Sequence, residues 1–516
     1  MGTILRARFL RTRPGRAALV LVAVASGALL LSACGSRLAT DQARLAQGAS
    51  GGGSGTGAVG VATATATATA TTGAAATGGS AGTGGTAGSA GATAGGATGA
   101  AGAVGSSASP GAAGAKTAAA PVAAGAAATT TTVPAGGNGG ATTVGVTATQ
   151  ITIGNIASIS GVAPGLTQSA QQATEAFAAY VNSQGGIYGR DLKVEPFDDQ
   201  NSSSQNYADA EQACSNAFAM VGNASGFDTG SAQAVSACGI PDVAAENSTT
   251  QAGESADIFA ASPGNAHYWP VGAANYLKSK YPSAVQNAAM IYLNVPATES
   301  QAQHEMAAYG SVGFKYVYTA QVTPTEPNYS PYVLQMQQKG VQYVTEYSTM
   351  SSAERLLSAM QQQNYQPQVV DWFSEEYTPS FVTQTQGESN GNLVLMATAA
   401  YEEASANPEM QLFLSWLNRV APGAKHNIFG IFAWSAGMAF LQAAKAVGPH
   451  LTRAALLAQL AQIHTWTGGG LQPKMNFGTK IPSQCFDYFA VSGSGFARAY
   501  PSGANTYTCS SGLFKY

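Results

Sequence analysis

From residue 149 to residue 462, short apolar runs alternate with segments of helical period, and that alternation restricts the fold more than any other feature of the chain. Residues 151–157 form the first run, and a Gly/Pro/Ser loop over 158–165 follows. Ala173, Phe177, Tyr180 and Val181 then recur at i, i+4, i+7 and i+8, the spacing of one helix face. Gly185 and Gly186 end that helix, and 192–197 reads as the next strand. The same reading predicts strands over 219–222, 242–245, 288–293, 315–322, 341–347, 369–373 and 393–397. Helices are predicted over 206–218, 231–237, 266–280, 299–309, 331–339, 352–363, 408–420, 434–447 and 452–462, with a break in the series near Ser262-Pro263-Gly264. Strand–helix alternation predicts parallel sheets covered on both faces. Two such sets predict an α/β protein of two doubly wound lobes, a fold that binds ligands beyond the carboxyl ends of its strands.

Ahead of this body stand two segments of another character. Residues 1–33 carry Arg6, Arg8, Arg11, Arg13 and Arg16, no acid, and one apolar run over 17–33, the pattern of a secretory signal. The run ends in Leu31-Ser32-Ala33-Cys34-Gly35, which resembles the bacterial lipobox. That resemblance implies that Cys34 becomes the acylated N-terminus of a lipoprotein, and two or more acyl chains suffice for stable membrane attachment. Residues 34–145 are almost wholly Ala, Gly, Thr and Ser. Alanine offers too little surface to stabilise a sheet, so this stretch is expected to be a disordered tether. A flexible linker of that length reaches roughly 55–65 Å.

Charge follows the same division. The signal region is +5, the tether +2 and residues 146–516 are −10, which together make the net −3 of the chain. An acidic body without a basic cluster excludes nucleic acid as a partner, because phosphate binding needs Lys- and Arg-rich surface. Beyond Cys34, the cysteines fall as two pairs of equal separation, Cys214/Cys238 and Cys485/Cys509. Four cysteines allow three connectivities, and local closure costs least loop entropy. Disulfides Cys214–Cys238 and Cys485–Cys509 are therefore expected. No metal is expected, since C-x₂₋₄-C spacing is absent, and no cofactor motif is present.

A family resemblance enters at the loops. Ile153-Gly154-Asn155-Ile156-Ala157-Ser158-Ile159-Ser160-Gly161 resembles the opening strand and loop of type I periplasmic binding proteins of the branched-chain amino-acid (Leu/Ile/Val) group. Asn182-Ser183-Gln184-Gly185-Gly186-Ile187-Tyr188-Gly189-Arg190, running on to Asp198-Asp199, is the more specific match to the family pattern N-x₂-GGI-x-GR. The pair Cys214/Cys238 also falls where members of the family often have a disulfide. The resemblance covers residues 149–516. It implies two lobes joined by a three-strand hinge, with crossovers near 262–266, 397–401 and within 471–477. Lobe 1 is then 146–264 with 400–472, and lobe 2 is 265–399 with 473–516. The implied activity is that of an extracytoplasmic, lipid-anchored solute-binding component of an ABC importer. It closes on a small amino-acid-like or carboxylate-bearing ligand and presents it to a membrane permease. The same fold also serves ligand-sensing lipoproteins that have no transporter.

The family's ligand positions carry over residue by residue. Hydroxyls and backbone N–H groups after the third and fourth strands of lobe 1 hold a carboxylate, which here points to Ser225 in the 222–226 loop and to Asn247, Ser248 and Thr249 in the 246–250 loop. Ser158 and Ser160 lie on the first loop. Lobe 2 supplies an acid for an ammonium group, here Glu375 or Glu376, and an aromatic cover, here Tyr347. Two departures stand out: Tyr292-Leu293-Asn294-Val295-Pro296 replaces the family's aspartate-aromatic-glycine loop, and the family's arginine is missing near 259–263. A standard aliphatic amino acid is therefore not implied.

Enzyme readings find little support. Ala433-Trp434-Ser435-Ala436-Gly437 approximates a nucleophile elbow but opens an apolar helical pattern. His304-Glu305 begins an H-E-x-x-H motif whose second histidine is replaced by Ala308. No reaction is expected.

Overall fold

The computed structural model describes residues 132–510 and 512–516. The signal 1–33, the lipidation site Cys34 and the tether up to residue 131 lie outside the described residues. Lobe 1 opens with β1 (Gln150–Ala157), α1 (Gln168–Ser183), β2 (Asp191–Asp198), α2 (Ser203–Asn216), β3 (Ala219–Val221), α3 (Thr229–Cys238), β4 (Asp242–Asn247), α4 (Thr250–Glu254) and β5 (Ile258–Pro263). Its sheet is parallel throughout, in the order β2-β1-β3-β4-β5. Both faces are covered, and the two-residue period of a strand sorts side chains between them. Ile153, Val243, Ala245 and Phe259 enter one core, while Ile156, Ala244, Ile258 and Ala260 enter the other, against α2 and α3. The sequence reading assigned no strand to 258–263. The run Ile258-Phe259-Ala260-Ala261 is the edge strand beside β4, ahead of the expected break.

Lobe 2 begins with β6 (Tyr268–Pro270) and α5 (Gly272–Lys280), not with one helix over 266–280. Pro270 disfavours helical backbone at Trp269, and β6 instead pairs antiparallel with a C-terminal strand. Next come β7 (Ala288–Leu293), α6 (Pro296–Ser311), β8 (Tyr316–Val322), α7 (Ser330–Gln338), β9 (Tyr343–Tyr347), α8 (Met350–Gln362), β10 (Val369–Trp372), α9 (Pro379–Gln384) and β11 (Leu393–Met396). The chain then returns to lobe 1 for α10 (Pro408–Val420), α11 (Ile428–Val447) and α12 (Arg453–Leu460). It ends in lobe 2 with β12 (Cys485–Ser492), β13 (Gly495–Tyr500), β14 (Thr508–Cys509) and β15 (Leu513–Lys515), the last pairing with β6. The lobe 2 sheet runs β13-β12-β11-β10-β9-β7-β8 and is mixed. Strands β7 to β11 are parallel, but β12 and β13 are joined by Gly493-Ser494, and a two-residue hairpin can only link antiparallel neighbours.

Helix α11 is long and apolar enough to cross a membrane, yet nearly all of it is buried as the core helix of lobe 1. Gly437 lets it lie against α1, since a Cβ there would stand 2.6 Å from the Phe177 ring. Ser435, the serine of the elbow-like motif, sits inside this helix. It donates to Gln472 Oε1 (2.5 Å) and accepts from Trp466 Nε1 (3.1 Å), a packing role.

Three crossovers join the lobes, after β5, after β11 and between residues 471 and 485, and hydrogen bonds tie them together. Asn247 holds Gly264 through both ends of its amide (3.1 and 3.0 Å). Ala399 N donates to Leu471 O (2.7 Å), and Gln472 Nε2 donates to Ala261 O (2.7 Å). Disulfides link Cys214 to Cys238 across α2 and α3, and Cys485 to Cys509 across β12 and β14. This is the pairing that loop length favours.

The expected end of the tether at 145 is corrected. Arg190, fully buried, donates from Nε to Thr147 O (2.7 Å), from Nη1 to Pro449 O (3.1 Å), and from Nη2 to Gly140 O (3.0 Å) and to Asn138 O. Asn138 Nδ2 in turn donates to Ala148 O (2.8 Å). A guanidinium that leaves water needs acceptors for its five N–H groups, and residues 138–140 supply two of them. These residues therefore belong to lobe 1, although their composition matches the tether.

Candidate ligand-binding site

The carboxyl ends of β1, β3 and β4 in lobe 1 and of β7, β9 and β10 in lobe 2 face one another, as the doubly wound topology requires. Between them lies a cavity of about 50 Å³. Val162, Leu166, Phe227 and Phe429 form its apolar wall on one side, and Val295 and Pro324 on the other. Its charged groups are Glu246, the next-to-last residue of β4, and Glu375, three residues beyond β10. Among the described residues, no Lys, Arg or His lines it.

The two carboxylates come from different lobes. Glu246 Oε1 accepts from Ser248 Oγ (3.2 Å) and, across the cleft, from Gln301 Nε2 on α6 (3.1 Å). Its Oε2 and both oxygens of Glu375 have no hydrogen-bond partner among the described residues. Burial first, and after it the like charge of Asp228, raise the pKa of Glu246 to about 7 against the hydrogen bonds from Ser248 and Gln301. Burial first, then the charge of Glu246, raises Glu375. Other contacts between the lobes are Ala297 N to Gly226 O (3.3 Å) and Thr250 Oγ1 to Ser300 Oγ (3.4 Å), so the clamp is shut.

Of the residues singled out in the sequence, Ser225, Ser248 and Glu375 line this cavity. The hydroxyls expected to hold a carboxylate are already committed to carboxylates of the protein. Ser225 Oγ donates to Asp199, Thr249 Oγ1 donates to Asp228 Oδ1 (2.5 Å) and Ser248 Oγ donates to Glu246. Asp228, buried at the start of α3, also takes the Ser248 N–H (2.7 Å) and so clasps the 246–250 loop. Burial raises its pKa to about 6 against those hydrogen bonds.

The remaining candidates stand away from the cavity. Ser158 is buried behind Thr167, whose Oγ1 accepts its N–H (2.7 Å), and Ser160 Oγ donates to Asp198 Oδ2 (2.5 Å). Asn247 braces the first crossover. Tyr347 packs inside lobe 2 on Phe373 (ring centroids 4.8 Å apart) and donates to Glu305 Oε2 (2.6 Å), because β9 is a central strand buried on both faces. Glu376 is also buried in lobe 2, behind Glu375. Glu246, which lines the cavity, is not among the candidates read from the sequence. Its signal was an acid at the carboxyl end of an otherwise buried strand.

A family model described as periplasmic binding protein matches residues 150–495. No match was found among curated proteins. Among solved structures, the fold is similar to a fatty acid ABC transporter substrate-binding protein from Thermomonospora curvata (TM-score 0.62, 17% identity, 71% of this chain and 95% of that one). It is also similar to an ABC transporter solute-binding protein from R. palustris in complex with benzoate (TM-score 0.57, 13% identity, 70% and 98%). A third is the branched-chain amino acid transporter substrate-binding protein LivJ from Streptococcus pneumoniae in complex with isoleucine (TM-score 0.54, 12% identity, 68% and 100%). By the length of its match and by its two clamped lobes, the chain belongs to the periplasmic binding protein family of type I, solute-binding rather than enzymatic proteins that work outside the cytoplasm.

Proposed function

We propose that this protein is the lipid-anchored solute-binding component of an ABC importer, and that its ligand is a small molecule bearing a protonated amine. The observation that carries the ligand class is the pair Glu246 and Glu375, two carboxylates from opposite lobes on one cavity without a basic side chain on its wall. Leaving like charges together in a partly dry site is costly, and a bound ammonium offsets that cost only when both lobes contribute. Closure and binding then favour each other. The neighbours of similar fold are named for fatty acids, benzoate and isoleucine. A ligand with only a carboxylate has less to rest on here, because Ser225, Ser248 and Thr249 already donate to Asp199, Glu246 and Asp228. An amino acid or other amine keeps the ammonium contact. The test is a thermal-shift screen of amino acids, simple amines and organic acids, since a ligand that binds only the folded chain raises its melting temperature. Deleting the gene should then abolish uptake of the compound that binds. Cys34→Ala should release the protein from the membrane fraction, and retention there would contradict the anchor.

A further inference from the structure

Glu246 lines not one cavity but two. Behind the cleft, against the hinge, lies a second chamber of about 170 Å³. All three crossovers contribute to it, through residues 261–265, Met396 with Ala397, and Gln472, Pro473 and Met475. Trp269, Phe373, Phe432, Met475 and Phe486 make its wall largely apolar. Two of the acceptors on its wall are carried by Glu246 and Gln301. Among the described residues, Glu246 is its one charged side chain. Gln301, buried at 5% exposure, gives its amide N–H to Glu246, which leaves Oε1 without a partner. When Glu246 is ionised it can only accept, which favours this orientation of the amide.

Apolar cavities bind apolar groups of matching size, and one of about 150 Å³ takes a benzene ring. We infer that the hinge chamber is a second compartment of the ligand site, and that it takes the apolar body of an amphiphilic amine whose ammonium group lies between Glu246 and Glu375. This rests on the amine reading of the cleft and extends it to a substrate class, primary amines carrying an alkyl chain or one aromatic ring. A ligand seated this way touches the three strands that move when the lobes close, which couples its hydrophobic contact to closure.

The test is calorimetric titration of the full chain with n-alkylamines from ethyl to octyl, with phenethylamine, and with alkyl carboxylates of the same lengths. Burial of each methylene strengthens binding by about fourfold, so affinity should climb with chain length and level off once the chamber is full. Phenethylamine should bind at least tenfold more tightly than ethylamine. Ala397→Phe, which fills the chamber, should bring that ratio below about twofold, and a melting temperature close to that of the wild-type chain shows that the variant is folded. An affinity independent of chain length in the wild-type chain would overturn the chamber and leave the amine reading standing. Binding of the carboxylates with no binding of any amine would overturn both.

Discussion

Gln301 on α6 of lobe 2 donates its side-chain amide to Glu246 Oε1 at the end of β4 in lobe 1, at 3.1 Å. A hydrogen bond between side chains of different lobes exists only while the lobes are together. A bond to a charged group contributes about 1.5–3 kcal/mol. Gln301→Ala should therefore weaken binding of an amine ligand by about tenfold or more, because closing the clamp is part of binding. Calorimetric titration checks this, and an unchanged affinity would separate Gln301 from closure.

Glu375 and Glu376 are adjacent in sequence but differ in place, and their variants should differ in kind. Glu375→Gln removes a carboxylate from the cavity wall and should lower affinity for an amine at least tenfold with little effect on melting. Glu376 is 1% exposed inside lobe 2, where burial, Glu375 and Glu346 all raise its pKa. Replacing it with Gln should leave affinity within about twofold and keep or raise the melting temperature. Reversed effects would place the wrong residue on the cleft.

Lobe 2 buries Asp371, Glu305 and Glu346, and among the described residues only Glu346 has a cation, Arg355, close enough to hold its pKa down. Burial raises Asp371 to about 7 and Glu305 and Glu346 to about 8, partly offset by tyrosine hydroxyls, among them Tyr343 on Asp371 (2.8 Å) and Tyr347 on Glu305 (2.6 Å). Unfolded carboxyls titrate at about 4. Between those values the folded chain holds protons that the unfolded chain has lost, so stability falls as pH rises. The ligand-free protein should melt several degrees higher at pH 5.5 than at pH 8. A melting temperature that rises over this interval would mean that these acids are ionised in the fold.

Residues 138–140 accept hydrogen bonds from the buried guanidinium of Arg190. A chain truncated before residue 146 leaves those N–H groups without acceptors, at a cost of about 1–3 kcal/mol for a buried unsatisfied donor. A 132–516 fragment should accordingly melt above a 146–516 fragment. Equal melting temperatures would show that water replaces the two carbonyls.

The sequence made lobe 1 largely legible because its strands and helices differ sharply in period. It concealed β5, whose Ile258-Phe259-Ala260-Ala261 run abuts a Ser-Pro-Gly turn and merged with the break. It concealed the β12–β13 hairpin too, since no helix separates those strands. At the site, hydroxyls at strand ends were read as ligand donors. Asp199 and Asp228 come from other loops, and only the folded chain places them on Ser225 and Thr249. Tyr347 lies off the cavity wall on β9, every residue of which is buried, so alternation does not say which face it uses. The family motif located the clamp, but the charges within it depend on packing that no spacing records.

The most direct measurement is a paired titration of the full chain at pH 7 with phenethylamine and 3-phenylpropionate, matched in shape and opposite in charge. Binding of the amine alone, lost at least tenfold in Glu375→Gln, is the result we predict. Binding of the carboxylate with equal or greater affinity, unaffected by that substitution, would contradict it.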